Sequence, residues 1–254
     1  MKPRGLLFDL DGVFHVGDQL LPGAAATLAC LRSEAIPFRI VTNTTTLSRA
    51  SLVDKMRRMG LPLEVGDIIN AAHAATLFLR QLPNPRCRFV VSADTRADFV
   101  EFDNHDVDPE YIVLGDIEDQ LSYGLLDSIF RQMVGGAELI ALHKGRFWQT
   151  AGGLKVDLGL FVAGLEYTTG KSAVVIGKPS PRIFEMALRE LGVRSAECAM
   201  IGDDLYNDVG GAQAAGIKGI LIRTGKYRPL YETSSEVVPD LVIDSLTEVS
   251  DLLA

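Results

Sequence analysis

The sequence predicts an α/β fold: a Rossmann-like doubly wound parallel sheet as core, with an inserted smaller α/β domain. Three observations predict it. Short apolar runs alternate with helix-patterned segments along the chain, which is the rhythm of βα units with helices on both faces of a parallel sheet. That rhythm breaks at Leu82-Pro83-Asn84-Pro85 and resumes from Ala173, so 1–82 with 174–254 read as the core and 83–173 as the insertion. The length, 254 residues, is long for one ordinary domain and short for two, which suits the arrangement.

The elements follow in order. Gly5–Phe8 reads as the first strand, and Pro22–Ala35 as a helix opened by Pro22 near its first turn. Pro37–Val41 is the next strand, and Leu47–Gly60 a helix closed by its glycine. Ile68-Ile69 is a short strand piece before the helix Ala71–Gln81. The insertion has strands at Arg88–Ser92, Tyr111–Leu114 and Glu138–Leu142, with helical pieces near Asp94–Phe102, Ser122–Gly135 and Leu158–Thr168. The core rhythm then returns with strand Ala173–Gly177, helix Pro181–Gly192, strand Cys198–Ile201, helix Asp208–Ala215 and strand Gly219–Ile222. Strand Leu241–Ile243 and helix Leu246–Leu253 close the chain.

Composition narrows the function. The chain is 47% hydrophobic and 23% charged, as a globular domain with a sizeable core should be. A formal charge of −8 argues against a nucleic-acid partner gripped by its phosphates, yet leaves a small anionic substrate open. Cys30, Cys87 and Cys198 are far apart and have neither zinc-site nor CxxC spacing, so they read as packing. No secretion-type leader and no membrane-length apolar stretch is visible, and a cytoplasmic location with no membrane partner is the expectation.

In open parallel sheets, ligands bind beyond the carboxyl ends of the strands. Four such ends carry reactive or phosphate-seeking residues. Gly5–Phe8 runs into Asp9-Leu10-Asp11-Gly12, two carboxylates on one side of the chain. Carboxylates that close need a cation or a proton between them, a liability in a turn and an asset in phosphoryl transfer. Pro37–Val41 runs into Thr42-Asn43, a hydroxyl and amide pair suited to phosphate oxygens. Ala173–Gly177 runs into Lys178, an ammonium just before a helix start, and Cys198–Ile201 into Gly202-Asp203-Asp204, with Asp208 four residues on. A hard cation such as Mg²⁺ takes oxygen ligands, so carboxylates from separate loops can hold it.

Each piece alone has a bland reading as a turn, cap or surface loop. Together, in this order and all at strand ends, they stand apart from coincidence. Other patterns carry less. Thr169-Gly170-Lys171-Ser172 looks like a phosphate loop, but Leu165 occupies the position where that motif needs glycine. Asp103-Asn104-His105-Asp106 reads as a polar turn rather than a second metal site.

The combination resembles the haloacid dehalogenase-like superfamily, and the insertion between the second and third motifs resembles the type-two (C2) cap of subclass IIA. Gly152-Gly153-Leu154 and Gly177-Lys178-Pro179-Ser180-Pro181 match the wording of that subclass. The resemblance implies a Mg²⁺-dependent phosphatase in which Asp9 is the nucleophile, forming an aspartyl phosphate, and Asp11 the general acid and base. It implies Mg²⁺ held by the Asp9 carboxylate, the Asp11 carbonyl, Asp203 and Asp208, and a phosphoryl group bound by Thr42, Asn43 and Lys178. Asp204 either helps position this site or is a solvated neighbour.

The second aspartate favours a phosphatase over a dehalogenase, since a halide leaving carbon needs no acid. Phosphohistidine, phospholysine, pyrophosphate, nucleoside monophosphates and sugar phosphates all stay open as the small-molecule substrate. Dehalogenase, phosphotransferase and non-enzymatic binding readings are rivals. His143 and Lys144, in a loop beside the single tryptophan at 148, are the cap residues expected to read the leaving group. The resemblance also implies a homodimer through the cap.

Overall fold

The computed structural model describes residues 2–150, 153–230 and 235–253, so Gly152 lies outside the described residues. The chain forms two compact units: Met1–Thr42, Ala50–Ile69 and Lys178–Ala254 make the first, and Asn43–Arg49 with Asn70–Gly177 the second. Among the described residues no helix is long and apolar enough to cross a membrane.

A six-stranded parallel sheet is the frame of the first unit. Its order is Leu241–Ile243, Lys218–Ile222, Cys198–Gly202, Gly5–Phe8, Phe38–Thr42, Ile68–Asn70. From Gly5–Phe8 the chain steps outward to one side, then returns and steps outward to the other. The order therefore reverses at the first strand, which pairs through Phe8 with Ile201 on one side and Ile40 on the other. All four residues of that strand are buried, as a strand covered on both faces requires. Phe8 and Phe14 meet edge to face at 5.4 Å between ring centres, each buried aromatic being worth about 1.5–3 kcal/mol relative to exposure. Helix Pro181–Leu191 starts from a Ser180 side-chain cap with proline at its first position and stops at left-handed Gly192.

The second unit has its own parallel sheet, ordered Val174–Val175, Glu138–Ala141, Tyr111–Leu114, Cys87–Val90. Helices Tyr123–Val134 and Gly159–Thr169 pack on it through Ile129, Met133, Val162 and Leu165. An antiparallel hairpin, Phe147–Thr150 with Gly153–Val156, stands beside these elements in sequence.

Three placements differ from the sequence reading. The run Ala173–Gly177 was expected in the core sheet, but Val174 and Val175 pair with Ile140 and Ala141 of the second sheet. Helix Ala71–Leu79 and the segment Asn43–Arg49, both expected in the core, belong to the second unit. Thr76 of that helix donates to the Asp98 carbonyl, and the Asn70 side chain to the Asp98 carboxylate at 3.0 Å. Hydrogen bonds outside the helix period decide the grouping, and the periodicity of a helix cannot reveal them.

Candidate active site

Asp9 is fixed one residue past its strand because its N–H continues the ladder, donating to Ile201 O at 2.9 Å. Its buried carboxylate accepts from Leu10 N at Oδ1, and Lys178 Nζ stands 2.7 Å from the same oxygen. Lys178, only 3% exposed, is equally close to Asp208 Oδ1, at 2.7 Å. Burial alone would lower the ammonium pKa. The Asp208 and Asp9 charges outweigh it and hold Lys178 above the ordinary lysine value.

Asp208 reaches this place from a π-helical turn, Leu205–Gly210, that follows strand Cys198–Gly202. Asp204 builds the turn: its side chain accepts from Tyr206 N, Asn207 N and Asn207 Nδ2, capping the orphan donors. Asp208 Oδ2 then folds back to accept from Asp204 N at 3.1 Å. The sequence left Asp204 between positioning and solvation; its contacts make it the cap that delivers Asp208.

The site has more negative charge than its lysines neutralise. Burial first, then the Asp9 charge, push the Asp208 carboxyl up to about 7 despite Lys178 beside it. Burial, with Asp9 and Asp208, likewise holds Asp203 well above the usual carboxylate range, against the pull of the Lys226 N–H and charge. Asp203 Oδ1 is buried and has no hydrogen-bond partner among the described residues. A buried oxygen without a donor costs free energy that a bound cation would recover. One carboxylate oxygen each from Asp9, Asp203 and Asp208 lie within 4.8 Å of one another. All donors are hard oxygens, so the set fits Mg²⁺.

A fifth strand end, absent from the sequence reading, completes the arrangement. Lys218–Ile222 runs into Thr224-Gly225-Lys226, whose Lys226 N–H donates to Asp203 Oδ2 at 2.6 Å. Gly12 and Gly225 both have positive φ, +83° and +53°, and a Cβ on either would fall about 2 Å from that oxygen. The Asp203 carboxylate thus sits in a slot that only two glycine backbones leave open. The signal was available: a hydroxyl, a glycine and a cation after an apolar run repeat the punctuation of the other four ends.

The remaining predicted residues are placed as follows. Asp11 is half exposed at its side chain, with Oδ1 3.4 Å from Nε2 of buried His15. Thr42 is buried at the end of strand Phe38–Thr42. Asn43 opens the second unit, where its Oδ1 lies 2.5 Å from the position a Cβ on Gly177 would take. His143 is buried in the same unit: Nδ1 accepts from Gly145 N, and Nε2 faces Thr45 Oγ1 at 3.4 Å and Asp157 Oδ1 at 3.8 Å. Lys144 is paired with Glu166, which also accepts from Ala173 N. Lys171 of the false phosphate loop donates to Met133 O at 2.6 Å, capping a helix end. Asn104 ties the polar turn together, accepting from Phe89 N and donating to Asp106. Cys87 and Cys198 are buried, which pushes their thiols up to about 11 and about 12, out of nucleophile range.

A doubly wound sheet with a buried lysine–carboxylate cluster at its switch point has the layout of an α/β ligand-binding or catalytic site. The chain belongs to the haloacid dehalogenase-like hydrolases. The family model of that description matches residues 6–105, and a second, HAD-hydrolase-like, matches residues 175–249. Phospholysine phosphohistidine inorganic pyrophosphate phosphatase of Bos taurus is 37% identical over 256 residues, spanning 98% of this chain and 94% of the relative. Haloacid dehalogenase-like hydrolase domain-containing protein 2 of Bos taurus is 37% identical over 250 residues, 98% of this chain and 95% of that protein. Among solved structures, 4-nitrophenylphosphatase from Thermotoga maritima superposes with a TM-score of 0.93 at 27% identity, over 100% of this chain and 98% of that one.

Proposed function

We propose that the protein is a Mg²⁺-dependent phosphohydrolase acting on a small phosphorylated metabolite through an aspartyl phosphate on Asp9. The observation that carries this reading is the buried group of Asp9, Asp203 and Asp208, with Lys178 paired to Asp9 and Asp208 and Asp203 Oδ1 lacking a donor among the described residues. Asp9, the Asp11 carbonyl, Asp203 and Asp208 would hold the metal, which when bound neutralises charge on the transferring phosphoryl group.

The chain's own residues account for the rest. Asp9 Oδ1 is committed to Leu10 N and Lys178, which leaves Oδ2 to attack phosphorus in line as the bond to the leaving oxygen breaks. The Asp11 carboxyl gives its proton to that oxygen. As a carboxylate, Asp11 then takes a proton from the water that attacks the phosphoenzyme, releasing phosphate and restoring Asp9. Thr42 and the Asn43 N–H bind phosphoryl oxygens, and Lys178 offsets the charge that builds on them. In the second unit, His143 and Lys144 are the residues proposed to choose the leaving group.

Phosphoamide and pyrophosphate substrates are the second reading, favoured by the similarity to the bovine phospholysine and phosphohistidine enzyme. A cytoplasmic enzyme that dimerises through the second unit completes the proposal. The test is phosphate release from 4-nitrophenyl phosphate and a panel of phosphoamides, pyrophosphate and sugar and nucleoside phosphates, with Mg²⁺ and with EDTA. Release should need Mg²⁺ and vanish in Asp9→Asn while the variant stays folded. Hydrolysis by Asp9→Asn at the wild-type rate would refute the mechanism.

A further inference from the structure

We infer that the turn Thr224-Gly225-Lys226 is a positioning element for the metal site, setting cation affinity by fixing which Asp203 oxygen is offered. The inference rests on the metal reading above. The turn adds no carboxylate to the group of Asp9, Asp203 and Asp208. What it does is occupy one side of the Asp203 carboxylate: Lys226 N–H takes Oδ2 at 2.6 Å, and Oδ1 is left buried with no donor among the described residues.

The turn is itself tied to the nucleophile loop. The Thr224 hydroxyl donates to Gly12 O, which holds together the two glycine backbones that flank Oδ2. The approach is close enough that a Cβ on Gly225 would lie 2.5 Å from Gly12 Cα as well as 2.0 Å from Asp203 Oδ2. The turn closes on its own backbone, Tyr227 N donating to Thr224 O at 2.9 Å, and on the edge strand, Arg223 N donating to Ile243 O at 2.9 Å. A rigid support of this kind is how an outer partner orients a ligand: it removes the rotamers in which the wrong oxygen faces the cation.

The experiment is a titration with Mn²⁺ of wild type, Thr224→Val, Thr224→Ser and Gly225→Ala, reading bound metal from loss of the free-ion paramagnetic resonance signal. Thermal unfolding in EDTA runs alongside. Thr224→Val should weaken Mn²⁺ by about tenfold or more with its unfolding midpoint in EDTA little changed, and Thr224→Ser should restore wild-type affinity. Gly225→Ala should weaken binding further by displacing the carboxylate. If Thr224→Val and Gly225→Ala bind Mn²⁺ like wild type, the inference is overturned and the metal reading stands, even if their midpoints fall. If wild type itself binds no Mn²⁺, both fall together.

Discussion

The Lys178 ammonium stands 2.7 Å from the Asp208 carboxylate, and both groups are buried at the carboxyl end of the parallel sheet. With Asp9 at the same distance, one cation serves two carboxylates in a place with little solvent to screen them. Removing it leaves buried charge without a partner. Lys178→Met is therefore expected to cost about 3–5 kcal/mol of stability in EDTA and to lower turnover by at least about 10²-fold. Unfolding curves with and without Mg²⁺, beside initial rates, check both. Lys178→Arg should not rescue, because a planar fork cannot replace a compact ammonium between two fixed oxygens.

Acid and base should affect the metal-free protein unevenly. The folded Asp208 carboxyl is raised to about 7, whereas an unfolded aspartate titrates near about 4. The folded state thus binds the proton more tightly. This contribution to stability is fully present below about pH 4 and is lost as the pH rises through about 7. In EDTA the wild-type unfolding midpoint should fall between about pH 5 and 8 more steeply than that of Asp208→Asn. Mg²⁺ should flatten the wild-type curve. Equal slopes in the two proteins would show that Asp208 does not titrate in this window.

The strand ends were legible because their signal is local: an apolar run followed by polar residues reads the same wherever the strand pairs. That is why Asp9, Lys178, Asp203 and Asp208, spread over 200 positions, group together in the sequence alone. Partnership between strands was not legible. Val174-Val175 is as good an edge for one parallel sheet as another, and its place was decided by Ile140 and Ala141. The Asp208 helix starts earlier than the sequence reading has it for a related reason: the Asp204 cap brings the turn forward to Leu205. The hairpin His15–Val16 with Gln19–Leu20 lies outside the sequence reading because its strands are two residues each, although Gly17-Asp18 between them is a turn signal.

Asp11 predicts a dependence on the leaving group. A poor leaving group needs its oxygen protonated as the bond breaks, whereas 4-nitrophenolate departs readily as an anion. Asp11→Asn should therefore slow alkyl phosphates by about 10²–10⁴-fold and 4-nitrophenyl phosphate far less. Its half-exposed side chain makes a folding defect an unsuitable explanation for such a split. The ratio of kcat/KM for the two substrates measures it, and an equal loss on both would remove Asp11 from the acid role.

Several hydrogen bonds tie the segment Asn43–Arg49 to the rest of the second unit. Buried Thr95 donates to Thr45 O at 2.7 Å, Ser92 donates to Thr46 O at 2.8 Å, and Asp94 accepts from Ser48 N at 2.8 Å. Asp98 accepts from Arg49 N at 3.1 Å and from Asn70 Nδ2 at 3.0 Å. Thr95→Val keeps the shape but removes the donor to the Thr45 carbonyl and the acceptor of the Ser92 hydroxyl, and should cost about 1–3 kcal/mol. Asp98→Ala removes the acceptor of the Arg49 amide. Hydrogen exchange across 45–49 should quicken in both variants, while exchange in the sheet strand Tyr111–Leu114 stays slow. Unchanged exchange at 45–49 would mean that these bonds are not what holds the segment in place.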